Sequence, residues 1–405
     1  MSHIVIVGGG VAAGKAAETL RKDGFAGDVT IVAAEPHPPY QRPPLSKGYL
    51  AGEEGLDAAV LHPAPWYADR DIELRISTTA TRLDPVAHRL ETDGGMLAYD
   101  AVLVATGASP RVLPLEGHDL QGVQTLRRLE DSDTLAAELR EGGRRLVVIG
   151  SGWIGMEVAA TARTLGNEVT VLERDPVPLA LAVGPVMGEV FRRLHIENGV
   201  DLRTRVQVER IVGHGRAAGV VVDGETVPAD LVLIGVGAVP NTALAEAAGI
   251  TLDNGILTDA SLRTSAPDVY AAGDAANAYH PVIQRHLRSE HWDNARRAGA
   301  VAARVMMGAD AVHDGIPYFY TDQFDLGMEL SGYPPLMKDA ELLIRGDVEG
   351  REFIAWWVDD GRVVGGMNVN VGGVQKAIKE LIRTGDRVDG GALTDTDVPV
   401  DSLLR

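Results

Sequence analysis

Two short glycine turns carry the clearest chemistry in this chain. Gly8-x-Gly10-x-x-Ala13 and Gly150-x-Gly152-x-x-Gly155 each stand between an apolar run and a helix-like stretch. In such a turn the first glycine permits a tight bend, and the second lets the backbone approach a pyrophosphate. The third small residue lets helix and strand pack. Phosphate then rests on free N–H groups at the helix N-terminus. Glu35 and Glu173 close the next strand of each unit, where a carboxylate can accept both hydroxyls of an adenosine ribose. Glycine turns also close many strands for packing alone. Strand, loop, helix, strand and acid in one order, found twice, point to two bound dinucleotides.

A βαβ unit must hold each turn, and the chain repeats that unit. "HIVIVGGGVAAGKAAETLRKDGFAGDVTIVAAE" (His3–Glu35) is similar to "RLVVIGSGWIGMEVAATARTLGNEVTVLE" (Arg145–Glu173). Each opens with a β-branched run, the signal of a buried parallel strand. Helical steps of three and four residues then place Ala13, Ala16, Ala17 and Leu20 on one face, and Ile154, Val158, Ala162 and Leu165 on the other unit's. The repeat has a second half: "YDAVLVATGASPR" (Tyr99–Arg111) aligns without a gap on "ADLVLIGVGAVPN" (Ala229–Asn241). The expected fold is therefore α/β, with two similar, Rossmann-like dinucleotide-binding domains.

The spacing implies nesting. After Asn241 a further strand, "PDVYAAGDAA", ends on Gly273-Asp274, and a helix-like run covers Glu290–Met307. Both are expected to return to the first domain. The expected division is 1–113 with 245–316 for FAD, 114–244 for NAD(H), and 317–405 for an α+β domain of alternating strands and one helix. Asp274, at a sheet edge, is placed to hydrogen-bond a ribityl chain; Gly-Asp is also a common plain turn. FAD (non-covalent) in the split domain and nicotinamide in the inserted one is the economical reading. Glu173 favours NADH, since a carboxylate repels a 2′-phosphate, while Arg174 beside it acts the other way.

Composition bounds the function. The chain has 405 residues, 45% hydrophobic and 23% charged, with 47 glycines. Its formal net charge of −19 opposes nucleic acid and anionic membranes. There is no cysteine, which removes disulfides, thiolate nucleophiles and Cys-ligated metals, and no metal site is expected. The start shows no signal-peptide pattern, and the most apolar window, "LVVIGSGWIGMEVAATA", is broken by Glu157 and by glycines. A cytoplasmic location is expected.

The segments "VIVGGGVAAGKAA", "PYQRPPLSKGYL", "VLVATGASPR", "VIGSGWIGMEVAA", "GVGAVPN", "VYAAGDAA" and "SEHWDNA" together resemble the FAD-dependent NADH:ferredoxin reductases of bacterial oxygenase systems, with "PYFYTDQFD" a looser match. The likeness covers nearly the whole chain, and it implies a glutathione-reductase-like architecture for the two dinucleotide-binding domains, with the C-terminal α+β domain added. It implies hydride transfer from NADH to FAD, then single electrons to a 2Fe–2S ferredoxin that serves an oxygenase such as a cytochrome P450. It implies that Arg42 and Lys47 line the flavin, with Lys47 near its reactive edge and Glu157 paired to that lysine. Arg111 reaches FAD, Asp274 its ribityl hydroxyls, and Trp292 lies close to both rings. Lys47, Glu157 and Trp292 form the expected catalytic set. Gly8, Gly10, Ala13, Glu35, Arg42, Thr106, Gly107, Arg111 and Asp274 join Lys47 and Trp292 around FAD. Gly150, Gly152, Ile154, Gly155, Glu157, Glu173 and Gly237 are expected around NAD.

Bland readings stand beside these: Lys47 as a helix cap or a solvated lysine, and Trp292 as core packing. Glu157 lies in an apolar stretch, where an acid needs a partner. In disulfide reductases a cysteine near the first loop takes electrons from flavin. Here "RPPLSK" occupies that place, so electrons are expected to leave for an external acceptor. Other outlets are a small acceptor (quinone, oxygen or a radical) or an apoptosis-inducing-factor-like binding role. A basic rim for the ferredoxin is sought in Arg285, Arg288, Arg296 and Arg297 and in Lys376, Lys379 and Arg383. Relatives carry tryptophan in the segment matching Tyr318–Gln323, where this chain has Tyr320.

Overall fold

In the computed structural model, which describes residues 2–404, the β-branched runs become the central strands of two parallel sheets. β1 (His3–Val7) leads through the first glycine turn into α1 (Val11–Lys22), and β2 (Asp28–Val32), β3 (Ile72–Arg75) and β4 (Ala101–Val104) follow. Next come β5 (Val123–Gln124), α2 (Leu129–Leu139), β6 (Arg145–Ile149), α3 (Trp153–Thr164) and β7 (Glu168–Leu172). α4 (Ala180–Glu197), kinked at Gly184-Pro185, precedes β8 (Asp201–Arg203) and β9 (Leu231–Ile234). The chain then rejoins the first sheet at β10 (Val269–Ala271) and continues into α5 (Trp292–Met306).

The sheets run β10-β4-β1-β2-β3 and β8-β7-β6-β9-β5. The repeat is visible in the register: Ile6 lies between Ile31 and Leu103, and Val148 between Val171 and Leu233. Strands buried on both faces explain why these runs are continuously apolar rather than alternating. Last comes an antiparallel sheet in the order β11-β12-β15-β14-β13. Its strands are β11 (Tyr318–Gln323), β12 (Leu326–Gly332), β13 (Glu341–Asp347), β14 (Glu352–Asp359) and β15 (Arg362–Val369). α6 (Gln375–Thr384) buries Ala377, Ile378 and Leu381 against this sheet's core.

By contacts the chain divides into two units. One runs through Pro43 and adds Gly55–Ser109 and Ala238–Gly315; the other comprises Pro44–Glu54, Pro110–Gly237 and the chain from Ile316 onward. In the first, α1 and α5 approach through small residues, and a Cβ on Gly299 would stand 2.2 Å from the Ala12 carbonyl oxygen. In the second, a Cβ on Gly155 would meet the Gly150 carbonyl oxygen at 2.3 Å. No helix among the described residues is long and apolar enough to cross a membrane.

Gly155→Ala tests that helix–strand contact. Alanine gains about 1 kcal/mol in helix propensity. Overpacking a backbone contact this close costs up to about 3 kcal/mol and should win. The urea midpoint should fall; a midpoint that rises would show that α3 has room to move.

Candidate active site

Both phosphate loops end in helix N-termini that are ready for an anion. α1 starts after Gly10 and α3 after Gly152; neither cap makes a side-chain hydrogen bond, and neither first turn holds an acid. A Cβ on Gly10 would meet nothing within 4 Å, and one on Gly152 only the Gly235 oxygen at 3.9 Å, so both stand open to a ligand. Gly150 sits at φ +97°, where only glycine is comfortable. Gly8 and Ala13 occupy the matching turn of the first unit, and Ala13 is fully buried. Ile154, on the first turn of α3, is 42% exposed beside its loop.

The two acids behind the loops are held differently. Glu35 Oε1 accepts from Arg42 Nη2 at 2.9 Å and Oε2 accepts from the Tyr40 hydroxyl, while Arg42 Nη1 donates to Tyr40 at 3.0 Å. Burial disfavours the Arg42 charge, but Tyr40, Glu35 and Asp274 outweigh it and raise the guanidinium pKa. Glu173 Oε2 accepts from the Ser151 N–H at 2.8 Å and its hydroxyl at 2.6 Å, and Oε1 from the Asp175 N–H at 2.8 Å.

Among the other expected residues, Thr106 Oγ1 donates to the Asn241 carbonyl at 2.6 Å, which fastens the turn at Gly107. Arg111 is exposed, and its N–H donates to the Gly237 carbonyl at 2.9 Å. Asp274 is half-buried in a short 3₁₀ turn. Trp292 opens α5 and packs on the first core, and its buried Nε1–H finds no acceptor among the described residues. An open glycine cradle, an unpaired indole N–H and a fixed arginine fit a flavin dinucleotide in the first unit.

The second unit holds an extended polar cluster. Glu157, on α3 and 5% exposed, pairs through Oε2 with Lys47 Nζ at 2.7 Å and accepts the Ser46 hydroxyl there as well. Its Oε1 accepts from Thr321 Oγ1 at 2.7 Å. The segment bearing Lys47 is fixed from both sides: Thr161 Oγ1, one turn along α3, donates to the Ser46 carbonyl at 2.7 Å, and Ser132 of α2 donates to the Leu45 carbonyl at 2.8 Å. Lys47 also stands 5.5 Å from the Tyr320 ring centre. Burial, then the Glu157 charge, pushes the Tyr320 hydroxyl up to about 12.

The hydrogen bonds run on from Thr321. Gln323 Nε2 donates to Thr321 Oγ1 at 3.1 Å, and Gln323 Oε1 faces His195 Nε2 at 2.9 Å. An ionised Glu157 only accepts, so Thr321 donates to it, Gln323 turns its amide N toward Thr321, and His195 carries its proton on Nε2. Burial pushes His195 down to about 4, against the hydrogen bond with Gln323, so it stays neutral. Ser46, Tyr40, Ser151, Thr321, Gln323 and His195 were not expected as site residues. Alternating buried Thr321 and Gln323 in a strand was the available signal for two of them.

The sought basic rim is partly neutralised. Arg296 and Arg297 both bind buried Asp293, at 3.0 and 2.6 Å, and Arg288 binds Glu290. Burial opposes the Asp293 charge, but these arginines hold its pKa below the usual range. Arg285 and Lys376 are exposed. Lys379 lies 3.9 Å from the Tyr318 ring centre, and Arg383 is 3.8 Å from Glu380.

Two Rossmann-like sheets, each with an open phosphate loop, define a two-dinucleotide oxidoreductase. The chain belongs to the pyridine nucleotide-disulphide oxidoreductase family, which matches residues 2–299, and a reductase C-terminal domain matches 318–404. FAD and NAD(P)H are the cofactors of this family. The chain is 36% identical to a Sphingomonas ferredoxin–NAD(P)(+) reductase over 99% of its own length and 97% of the relative's. It is similar to a solved Rhodopseudomonas palustris ferredoxin reductase for the CYP199A2 system, with 32% identity, TM-score 0.95 and full coverage of both chains. It is likewise similar to the reductase of a covalent putidaredoxin reductase–putidaredoxin complex, at 32% identity and TM-score 0.94 over 99% of this chain and 98% of that one.

Thr321→Val removes the donor to Glu157 and strands the Gln323 amide. It should cost the FAD-loaded protein about 1–3 kcal/mol in urea unfolding, and Thr321→Ser should restore most of that. Equal stabilities for valine and serine would show that the hydroxyl bears no load.

Proposed function

We propose that this chain is an FAD-dependent NADH:ferredoxin oxidoreductase that feeds an oxygenase such as a cytochrome P450. FAD, when bound, would supply the chemistry that joins a two-electron hydride donor, NADH, to a one-electron acceptor, a 2Fe–2S ferredoxin. The chain's own part is to bind, orient and set charge. The α1 N-terminus receives one pyrophosphate and the α3 N-terminus the other. Lys47 is assigned the role of a fixed cation for the negative charge that the cofactor gains, and Glu157 holds that ammonium in place. Glu173 supports NADH over NADPH.

One observation carries the reading. Buried Glu157 holds half-buried Lys47 of the "RPPLSK" segment, which by the family resemblance stands in the place of a disulfide reductase's cysteine, in a chain with no cysteine. No internal thiol relay exists, so electrons must pass to an outside acceptor. The names of the relatives supply the class of that acceptor. An absence of cysteine also accords with work in the reducing cytoplasm.

Docking must overcome a net charge of −19 against an acidic ferredoxin. Exposed Arg285 in the first unit and exposed Lys376 on α6 in the second are the candidates for local positive charge, each on its own unit, since Arg288, Arg296, Arg297 and Arg383 already face acids.

NADH-driven cytochrome c reduction by the FAD-loaded protein, with and without a 2Fe–2S ferredoxin, tests the proposal. Ferredoxin should stimulate it strongly, and added salt should depress that turnover more than turnover with a small neutral acceptor. Rapid flavin reduction with no ferredoxin stimulation would overturn the proposal in favour of a small-molecule acceptor.

A further inference from the structure

The middle residue of the second phosphate loop does more than link two glycines. Ser151 is 2% exposed, and three of its polar groups are engaged. Its N–H and hydroxyl both donate to Glu173 Oε2, and its carbonyl accepts from the Leu179 N–H at 3.1 Å. With the Asp175 N–H on Oε1, three of the roughly four acceptor positions of the Glu173 carboxylate are filled. One position, on Oε1, remains for a ribose hydroxyl. The carboxylate therefore cannot swing aside without breaking charge-assisted hydrogen bonds.

The first unit solves the same problem with other parts. Its matching loop residue is Gly9, which has no hydroxyl, and a Cβ there would stand 2.9 Å from Ala33 Cβ. Glu35 is held instead by Tyr40 and Arg42 from outside the loop. A serine clamp is thus a feature of the second loop alone. Beside it stands Arg174, whose side chain is 80% exposed and touches an acid only at 4.0 Å, on Asp175. That cation is available to a 2′-phosphate as soon as the neighbouring carboxylate yields.

We infer that Ser151 is the positioning residue that sets nucleotide specificity, by locking the Glu173 carboxylate where it takes one ribose hydroxyl and repels a 2′-phosphate. The inference rests on the nicotinamide reading of the second unit. Discrimination comes from the fixed position of the acid as much as from its presence: a mobile Glu173 would leave the site to Arg174.

Binding of the unreactive nucleotides NAD⁺ and NADP⁺ to the FAD-loaded protein, by calorimetry, separates the possibilities without turnover. Wild type should prefer NAD⁺. Ser151→Ala should lower the NAD⁺:NADP⁺ affinity ratio by about tenfold, the effect of losing one charge-assisted hydrogen bond. Ser151→Gly, which copies the first loop, should do the same and covers any folding defect of the alanine variant. Adding Arg174→Ala to either should abolish the NADP⁺ affinity gained. An unchanged ratio in both single variants, with NAD⁺ still bound, would overturn the role of Ser151 and leave the nicotinamide reading intact. Binding of neither nucleotide to wild type would overturn both.

Discussion

A buried carboxylate must be answered by charge and hydrogen bonds, and Glu157 organises the second unit for that reason. Its two oxygens receive Lys47 and Ser46 from the proline-rich segment and Thr321 from β11. Stretches far apart in sequence thus meet at one acid on α3. Removing one partner of such a pair costs about 3–5 kcal/mol, more than any exposed ion pair of this chain contributes. The lysine is consequently rigid: it is held by its acid, and its backbone neighbours are pinned by Thr161 and Ser132. A cation so fixed is pre-organised for charge that appears nearby, with no rearrangement at the moment of reaction.

The same βαβ plan serves two ends. Both sheets have equivalent strand order and register about their first strands, and both loops present uncapped helix N-termini. Differences are confined to what surrounds the loops. In the first unit Tyr40 and Arg42 brace the acid, and alanine fills the packing position. In the second a serine in the loop braces the acid, and only glycine fits against the Gly150 carbonyl. Specialisation here rests on a few side chains on an unchanged backbone.

The sheets were legible because double-sided burial writes itself as uninterrupted Val/Ile/Leu runs, and the glycine turns because few residues reach those backbone angles. The repeat made each half support the other. The polar chain behind Glu157 was not legible. Thr321, Gln323 and His195 lie more than 120 positions from one another or from Glu157 where they meet across elements, and no local period joins them. Ser151 read as a spacer, since nothing in a glycine motif marks its middle residue. The arginines near Trp292 read as a free positive face, although Asp293 stands three and four residues before Arg296 and Arg297, the spacing of helical ion pairs.

The central claim is that Lys47 and Glu157 act as one device in flavin reduction. The most direct measurement is the stopped-flow rate of FAD reduction by NADH in wild type, Lys47→Met, Glu157→Gln and the double variant, with FAD content checked in each. The account predicts that each single change slows reduction, that the double is no slower than the slower single, and that FAD stays bound throughout. An unchanged rate in FAD-replete Lys47→Met, or losses that simply multiply in the double variant, would contradict it.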